Sequence, residues 1–277
     1  MPLSTGLAHI NYHDEESRDV VTSWSSAIEL RESFPNKPCV AFNASDFHTK
    51  NGFSYYFDLG FVLYDYKVRR LSFEEWYNSS DCLFYTFDRN LIEKGFKVYP
   101  IAATPLRMLI WLNGIEQKVW YPLGPWVWAK GDPRNAIRYP ASVSDRSPTI
   151  LMALGEGWYY FERDHVWSWK QATMKIPIPE ECHSGDCKAL LKVKPYGAAE
   201  SRPAKIYLKD CENETVYANI TTKSSSPVLI SIPIKVDKNE LFQCVEITAP
   251  NATSPFILEG VKDVRELGIA FYSIDVK

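Results

Sequence analysis

From residue 151 to the C-terminus the chain is written in short apolar runs, each closed within a few positions by Gly, Pro, Asn or Asp. The runs fall at 157–161, 172–178, 189–195, 204–209, 214–220, 228–233, 242–249 and 267–275. Runs this short, at this spacing, select an all-β sandwich or jelly roll over any helical packing. Several alternate cleanly. Lys205-Ile206-Tyr207-Leu208-Lys209 sets its aliphatic side chains on one side, so such a strand buries one face and wets the other.

The first half reads differently. Over 16–33, Val20, Val21, Trp24, Ala27, Ile28 and Leu30 recur at helical spacing, with Pro35 as the stop. Strand-like runs follow at 38–43, 53–64, 82–87, 96–101 and 107–112. A small α/β domain over residues 1–120 fits this order. Between 121 and 150 prolines at 122, 125, 133, 140 and 148 interrupt a Trp- and Arg-dotted stretch, which reads as an inter-domain connection. The fold expected is therefore α+β overall: a small α/β N-terminal domain, a connection over 121–150, and an all-β, jelly-roll-like sandwich over 151–277. A length of 277 residues accommodates two such domains.

The six cysteines form an even set. Cys182 with Cys187 would close a small loop, Cys211 with Cys244 would join two strand runs, and Cys39 with Cys82 would tie the first half. Six buried thiols are the other reading; disulfides would place the chain in the periplasm or outside the cell. A net charge of -3 gives no attraction to a phosphate backbone, so no nucleic-acid partner is expected. No apolar run approaches the ~20 residues of a membrane helix; the best, 101–112, is broken by Arg107. The start, Met1-Pro2-Leu3-Ser4, lacks the regions of a signal peptide, which suggests either a cytosolic protein or an excised piece of a larger one. Glycan-acceptor sequons stand at Asn43, Asn78, Asn213, Asn219 and Asn251, with meaning only in a eukaryotic secretory pathway.

The second half opens with Gly157-Trp158-Tyr159-Tyr160-Phe161-Glu162, continues through His165-Val166-Trp167-Ser168-Trp169, and closes with Asp263-Val264-Arg265-Glu266-Leu267-Gly268. This order resembles the C-terminal periplasmic β-sandwich domain of bacterial polytopic membrane glycosyltransferases and phosphoglycerol-transferase-like envelope polysaccharide proteins. A Gly-Trp-x-x-x-Glu opening, a Trp-Ser pair and a closing Asp-x-Arg-x-Leu-Gly segment recur in that family. The chain departs from it at Arg163-Asp164-His165, where a glycine-containing turn is usual, and in the four cysteines of the domain. The resemblance implies a module outside the cytoplasm, with the transferase chemistry in a membrane-embedded region of the same or a partner chain. Its partner would be a saccharide or lipid-linked glycan.

Candidate carbohydrate-binding residues are Trp167, Trp169, Tyr160, Glu162 and Arg163, because aromatic rings stack on the C–H faces of sugars while charged neighbours bond the hydroxyls. Strand alternation would instead bury Trp158 and Trp167 in the core. Asp263 and Arg265 read either as a ligand pair or as a structural brace, with Glu162 as the possible third member. No catalytic centre is expected. Glu74-Glu75, Asp14-Glu15-Glu16 and Glu180-Glu181 read as solvated surface, and Cys39 with His48 is a weak nucleophile pair because Cys39 sits in an apolar run. His9, His13, His48, His165 and His183 suggest no metal site, and no phosphate loop or dinucleotide fingerprint implies a cofactor. The segment 46–51, after a strand run, is a further possible ligand site. Three functions follow: a non-catalytic module that binds or orients an envelope saccharide, a glycan-active enzyme with an inter-domain site, and a structural or protein-interaction module.

Overall fold

A computed structural model describes residues 39–42, 67–86, 88–112, 115–183, 187–213, 215–235 and 240–277, with the backbone alone for 104–125. The chain divides into two compact units, Met1–Lys130 and Gly131–Lys277. The helix expected at 16–33, the run at 53–64 and the candidate segment 46–51 lie outside the described residues.

In the first unit the described elements are β1 (Cys39–Phe42), β2 (Lys67–Arg70), α1 (Phe73–Ser79), β3 (Leu83–Thr86), β4 (Val98–Leu112) and β5 (Ile115–Lys130). The sheet order is β2-β1-β3-β5-β4, with β1 parallel to both its neighbours and the remaining pairs antiparallel. Parallel strands need cover on both faces. Val40, Phe42, Leu83, Tyr85 and Val127 form a buried cluster on one face. On the other, Trp76 of α1 stacks on Phe84 with ring centroids 4.8 Å apart, and its indole donates to the Cys82 carbonyl at 2.7 Å. A capping box starts α1: Ser72 and Glu75 each accept the other's backbone N–H, at 3.2 and 2.8 Å. The Glu74-Glu75 pair thus lies in the first turn of a helix.

Residues 121–130, read from the sequence as the start of a connection, are instead strand. Trp126, Val127 and Trp128 are buried and pair with β3 on one side and β4 on the other. Prolines are tolerated because, among the described residues, β3 pairs with Trp126–Trp128 alone, so no donor is needed at 122 or 125 on that side, and because the β4–β5 register shifts at Pro100/Ala102 and around Pro105.

The second unit contains β6 (Ala141–Ser142), α2 (Pro148–Ala153), β7 (Val166–Trp167), β8 (Gln171–Pro177), β9 (Lys188–Pro195), β10 (Ala204–Asp210), β11 (Val216–Thr222), β12 (Val228–Pro233), β13 (Phe242–Thr248), α3 (Pro255–Glu259) and β14 (Ile269–Val276). They make a β-sandwich of two antiparallel sheets. One has the order β11-β10-β13-β8, the other β12-β9-β14-β6, with β7 on β14. From β8 to β14 the chain passes repeatedly between the sheets, the jelly-roll-like course expected. The run at 157–161 forms no strand and contributes a single bridge, Trp158 to Ser168.

Alternation decides the core. Met174, Ile176, Ile206, Leu208, Val245 and Ile247 point inward from one sheet, and Leu191, Val193, Ile230, Ile232, Phe271 and Ile274 from the other. Each is nearly or fully buried, a gain of about 1.5–3 kcal/mol per large aliphatic side chain. Buried Gln243 bridges the sheets without an unmet polar atom, accepting from the Lys235 amide at 2.8 Å and donating to the Pro233 carbonyl at 3.1 Å.

Three disulfides are formed: Cys39–Cys82, Cys182–Cys187 and Cys211–Cys244. The first and last close spans of 43 and 33 residues. Loop-closure entropy assigns each about 4 kcal/mol of stability. With Cys39 so paired it is no nucleophile.

Candidate functional site

Two glycines shape an open recess of the sandwich. Gly157 adopts φ +79°, and a Cβ there would lie 2.1 Å from the Gln171 carbonyl oxygen. At Gly155 a Cβ would meet Thr173 Oγ1 at 2.3 Å. Only glycine permits this approach. The segment therefore lies against β8, with Gly155 N–H donating to the Thr173 carbonyl (3.0 Å), Thr173 N–H to that of Glu156 (2.8 Å) and Trp169 N–H to that of Gly157 (2.7 Å). Trp158 closes the core beneath, its indole donating to the Thr173 carbonyl at 2.7 Å.

Above this junction lies an open groove of about 410 Å³, lined by Glu156, Gly157, Trp169, Lys170, Gln171, Ala172, Thr173, Glu246 and Glu266. Its lining is drawn from segments far apart in sequence. Thr173 faces Glu246 in the β8–β13 register, and Glu246 faces Lys209 of β10. A second row runs Gln171, Thr248, Tyr207, Asn219. Paired residues of antiparallel strands share a face, so a polar surface with Tyr207 at its centre continues outward from the groove. Lys209 Nζ lies 3.6 Å from Glu246, whose carboxylate also accepts from Thr248 at 3.4 Å.

The residues singled out from sequence do not form one platform. Trp169 lines the groove, its ring 5.8 Å from that of Tyr159. Trp167 is 9% exposed and packs with Tyr159, Leu267 and Ala270. Its ring stands edge-on to His165 at 5.1 Å and to Tyr196 at 5.4 Å. Tyr160 lies apart, its hydroxyl accepting from Arg146 at 3.2 Å with the guanidinium 5.5 Å from its ring. Arg163 is exposed.

Glu162 belongs to an ionic cluster beside Trp167. Arg265 donates to it at 2.9 Å and grips Asp263 through Nε (3.0 Å) and Nη2 (2.7 Å), while lying 5.4 Å from the Tyr159 ring. His165 Nε2 is 3.3 Å from Glu162, and its Nδ1 is 2.7 Å from Asp164. The His165 contact, helped by Arg265 and opposed by burial, holds the Glu162 carboxyl down to about 2. Glu162 in turn, with Asp164, pushes the His165 imidazole above its ordinary value despite burial. The cluster fixes segment 263–267, and the Tyr159 hydroxyl adds a bond to the Glu266 carbonyl at 3.2 Å. Glu266 then lines the groove.

Glu156, Lys170, Gln171, Thr173, Glu246 and Glu266 were not singled out from sequence. Alternation along 171–175 marks Gln171 and Thr173 as outward-facing, a signal available in the sequence; nothing local announces that Glu246 and Glu266 join them. Among the described residues no group of three or more His, Cys, Asp or Glu is arranged to hold a metal ion. Among the same residues no helix is long and apolar enough to cross a membrane.

No protein-family model matches this sequence, and no curated protein matches it. Among solved structures the chain is similar to the C-terminal domain of EclA, a sugar-binding protein, with TM-score 0.25 and 10% identity over 39% of this chain and 64% of that one. It is also similar to the CBM22-1 and GH10 modules of endo-1,4-β-D-xylanase 10B from Clostridium thermocellum, with TM-score 0.25 and 14% identity over 46% and 27%. A third is the C-terminal CBM6 of a marine laminarinase from Zobellia galactanivorans, with TM-score 0.25 and 12% identity over 41% and 78%. The chain thus spans less than two thirds of the first two. Similarity at this level assigns neither fold nor ligand. The class defined by the chain's own strands and cysteines is a disulfide-bonded β-sandwich module.

Proposed function

We propose that the sandwich is a non-catalytic saccharide-binding module whose ligand lies in the groove beside Trp169. The observation that carries this is the meeting of an indole ring with a row of hydroxyl-bonding groups in one open recess. A sugar ring offers an apolar C–H face and a rim of hydroxyls, so it needs one aromatic wall and several fixed donors and acceptors. Trp169 supplies the first; Gln171, Thr173, Glu156 and Glu266 supply the second. Trp167 and Glu162 support the site from behind.

Following the family resemblance, we place the module outside the cytoplasm, beside a membrane-embedded glycosyltransferase region in the same or a partner chain, where it orients an envelope saccharide or lipid-linked glycan. Three disulfides favour an oxidising compartment.

Calorimetric titration with neutral oligosaccharides tests the reading. Binding should fall about 30-fold in Trp169→Ala, the cost of removing one aromatic anchor, and stay within a few-fold in folded Arg163→Ala. Unchanged affinity in Trp169→Ala sinks the proposal. The carboxylates in the groove also admit glycoside hydrolysis, although Glu246 is already engaged by Lys209 and Thr248. Release of reducing ends during the titration would turn the reading to an enzyme.

A further inference from the structure

The sheet face that carries the groove extends well past it. β8 stands at one border of its sheet and β11 at the other, and among the described residues no strand pairs with the far side of β11. From the groove the outer face therefore runs across β13 and β10 to an open margin. With neighbouring strands about 4.8 Å apart, the steps from Gln171 to Asn219 cover about 14 Å. Several sugar residues fill such a distance.

The side chains along this course suit a sugar chain. Gln171, Thr248, Tyr207 and Asn219 follow one another strand by strand, and none is charged. Gln171 and Asn219 are exposed, while Tyr207 and Thr248 are half-buried. Among the described residues the side chains of Gln171, Tyr207 and Asn219 make no hydrogen bond. The contrast is Tyr217 of β11, whose hydroxyl donates to Asp210 at 2.6 Å. A phenol ring in the middle of a sheet face, with an unengaged amide on either side, offers a second aromatic patch and a second set of hydroxyl-bonding groups.

Two links hold this face in shape. Lys209 lies 3.6 Å from Glu246, which accepts from Thr248 at 3.4 Å, so the Thr173 row is tied to the Tyr207 row. Cys244, two residues before Glu246 and on its face by alternation, bonds Cys211 immediately after β10. The β10–β11 hairpin is thereby fixed covalently to β13. A surface held rigid before its ligand arrives loses less ordering entropy on binding. The row itself is uncharged, and the charges beside it are of both signs: Lys205 and Lys209 on β10, Glu246 on β13, Glu156 and Glu266 at the groove end. Neutral hydroxyls satisfy such a row, and the open margin leaves a chain free to continue.

We propose that the ligand is an extended, unbranched, neutral oligosaccharide that runs from Trp169 across the sheet to Asn219. Tyr207 is its second stacking ring, and Gln171 and Asn219 bond hydroxyls on either side of that ring. This rests on the saccharide reading of the groove and adds to it the length and direction of the ligand.

Calorimetric titration of the full chain with unbranched oligomers of glucose, mannose, galactose and N-acetylglucosamine, each from disaccharide to hexasaccharide, tests the course. In a series that binds, affinity should climb at least about ten-fold from the shortest to the longest member. Tyr207→Ala should abolish the climb while holding disaccharide affinity within about two-fold of the parent, which also reports that the fold is intact. Tyr207→Phe should keep the climb, and Asn219→Ala, at an exposed position, should reduce it about three-fold. Trp169→Ala should weaken binding at every length. A parent whose affinity is flat with length overturns the extended course and leaves the groove reading standing. So does a climb that Tyr207→Ala and Asn219→Ala both leave intact, or an equal loss at every length in Tyr207→Ala. Binding at no length removes the saccharide reading and this inference with it.

Discussion

Trp167 and Trp169 stand two residues apart and meet opposite fates. Around Trp167, His165 and Tyr196 pack edge to face, Tyr159 packs beside it, and Glu162, Asp263 and Arg265 saturate one another. At Trp169 the same residue types line an open groove. The difference teaches that the same residue types close a core in one place and line an open surface two residues on, according to what the neighbouring strands bring against them. The first cluster is packed; the second opens to solvent.

The comparison can be broken by mutation. Trp167→Ala should cost about 4 kcal/mol of unfolding free energy in denaturant, the usual price of emptying a large aromatic site. Gly157→Ala should cost about 3 kcal/mol, because a Cβ would strike the Gln171 carbonyl at a positive φ, and it should disturb the groove as well. Arg265→Ala should cost about 2 kcal/mol by leaving Glu162 and Asp263 without their shared donor. Trp169→Ala should cost only about 1 kcal/mol while removing most saccharide affinity. Equal stability losses at Trp167 and Trp169 would erase the distinction drawn between the two sites.

The ionic cluster also has a pH signature. Glu162 is held down to about 2 in the folded chain, so its contribution is present above the ordinary carboxyl range and is lost as pH falls toward that value. His165 is raised, so its contribution is complete below about 6.5 and is lost as pH rises through the folded value. Stability should therefore peak between about 4.5 and 6.5, read as the thermal midpoint across a pH series. Glu162→Gln should flatten both flanks. A Glu162→Gln profile that matches the parent would remove the cluster from the account.

How much of this was legible in the sequence depended on the range of the interactions. β8, β9, β10 and β13 fall near the runs expected for them, because alternation is local and the buried face imposes it at every second residue. The three cysteine pairs followed from the even set and its spacing. β5 was hidden because its prolines are accommodated by register shifts and one-sided pairing, neither visible along the chain. The Trp167–Trp169 distinction was hidden because Val166, Trp167 and Ser168 are all buried, so the period of two fails there. Ser168 makes this possible, its hydroxyl accepting the Ile269 amide at 2.9 Å and donating to the Trp169 carbonyl at 2.8 Å. The groove itself depended on Glu246 and Glu266 arriving from distant segments.

The most direct test of the groove is a nuclear magnetic resonance titration of the chain with neutral oligosaccharides, following indole and backbone amide signals. The account predicts that the Trp169 indole resonance and the amides of Lys170, Gln171 and Thr173 shift together while the Trp167 indole stays fixed. Shifts centred on Trp167 and Arg163, or none at Trp169 at saturating sugar, would contradict it.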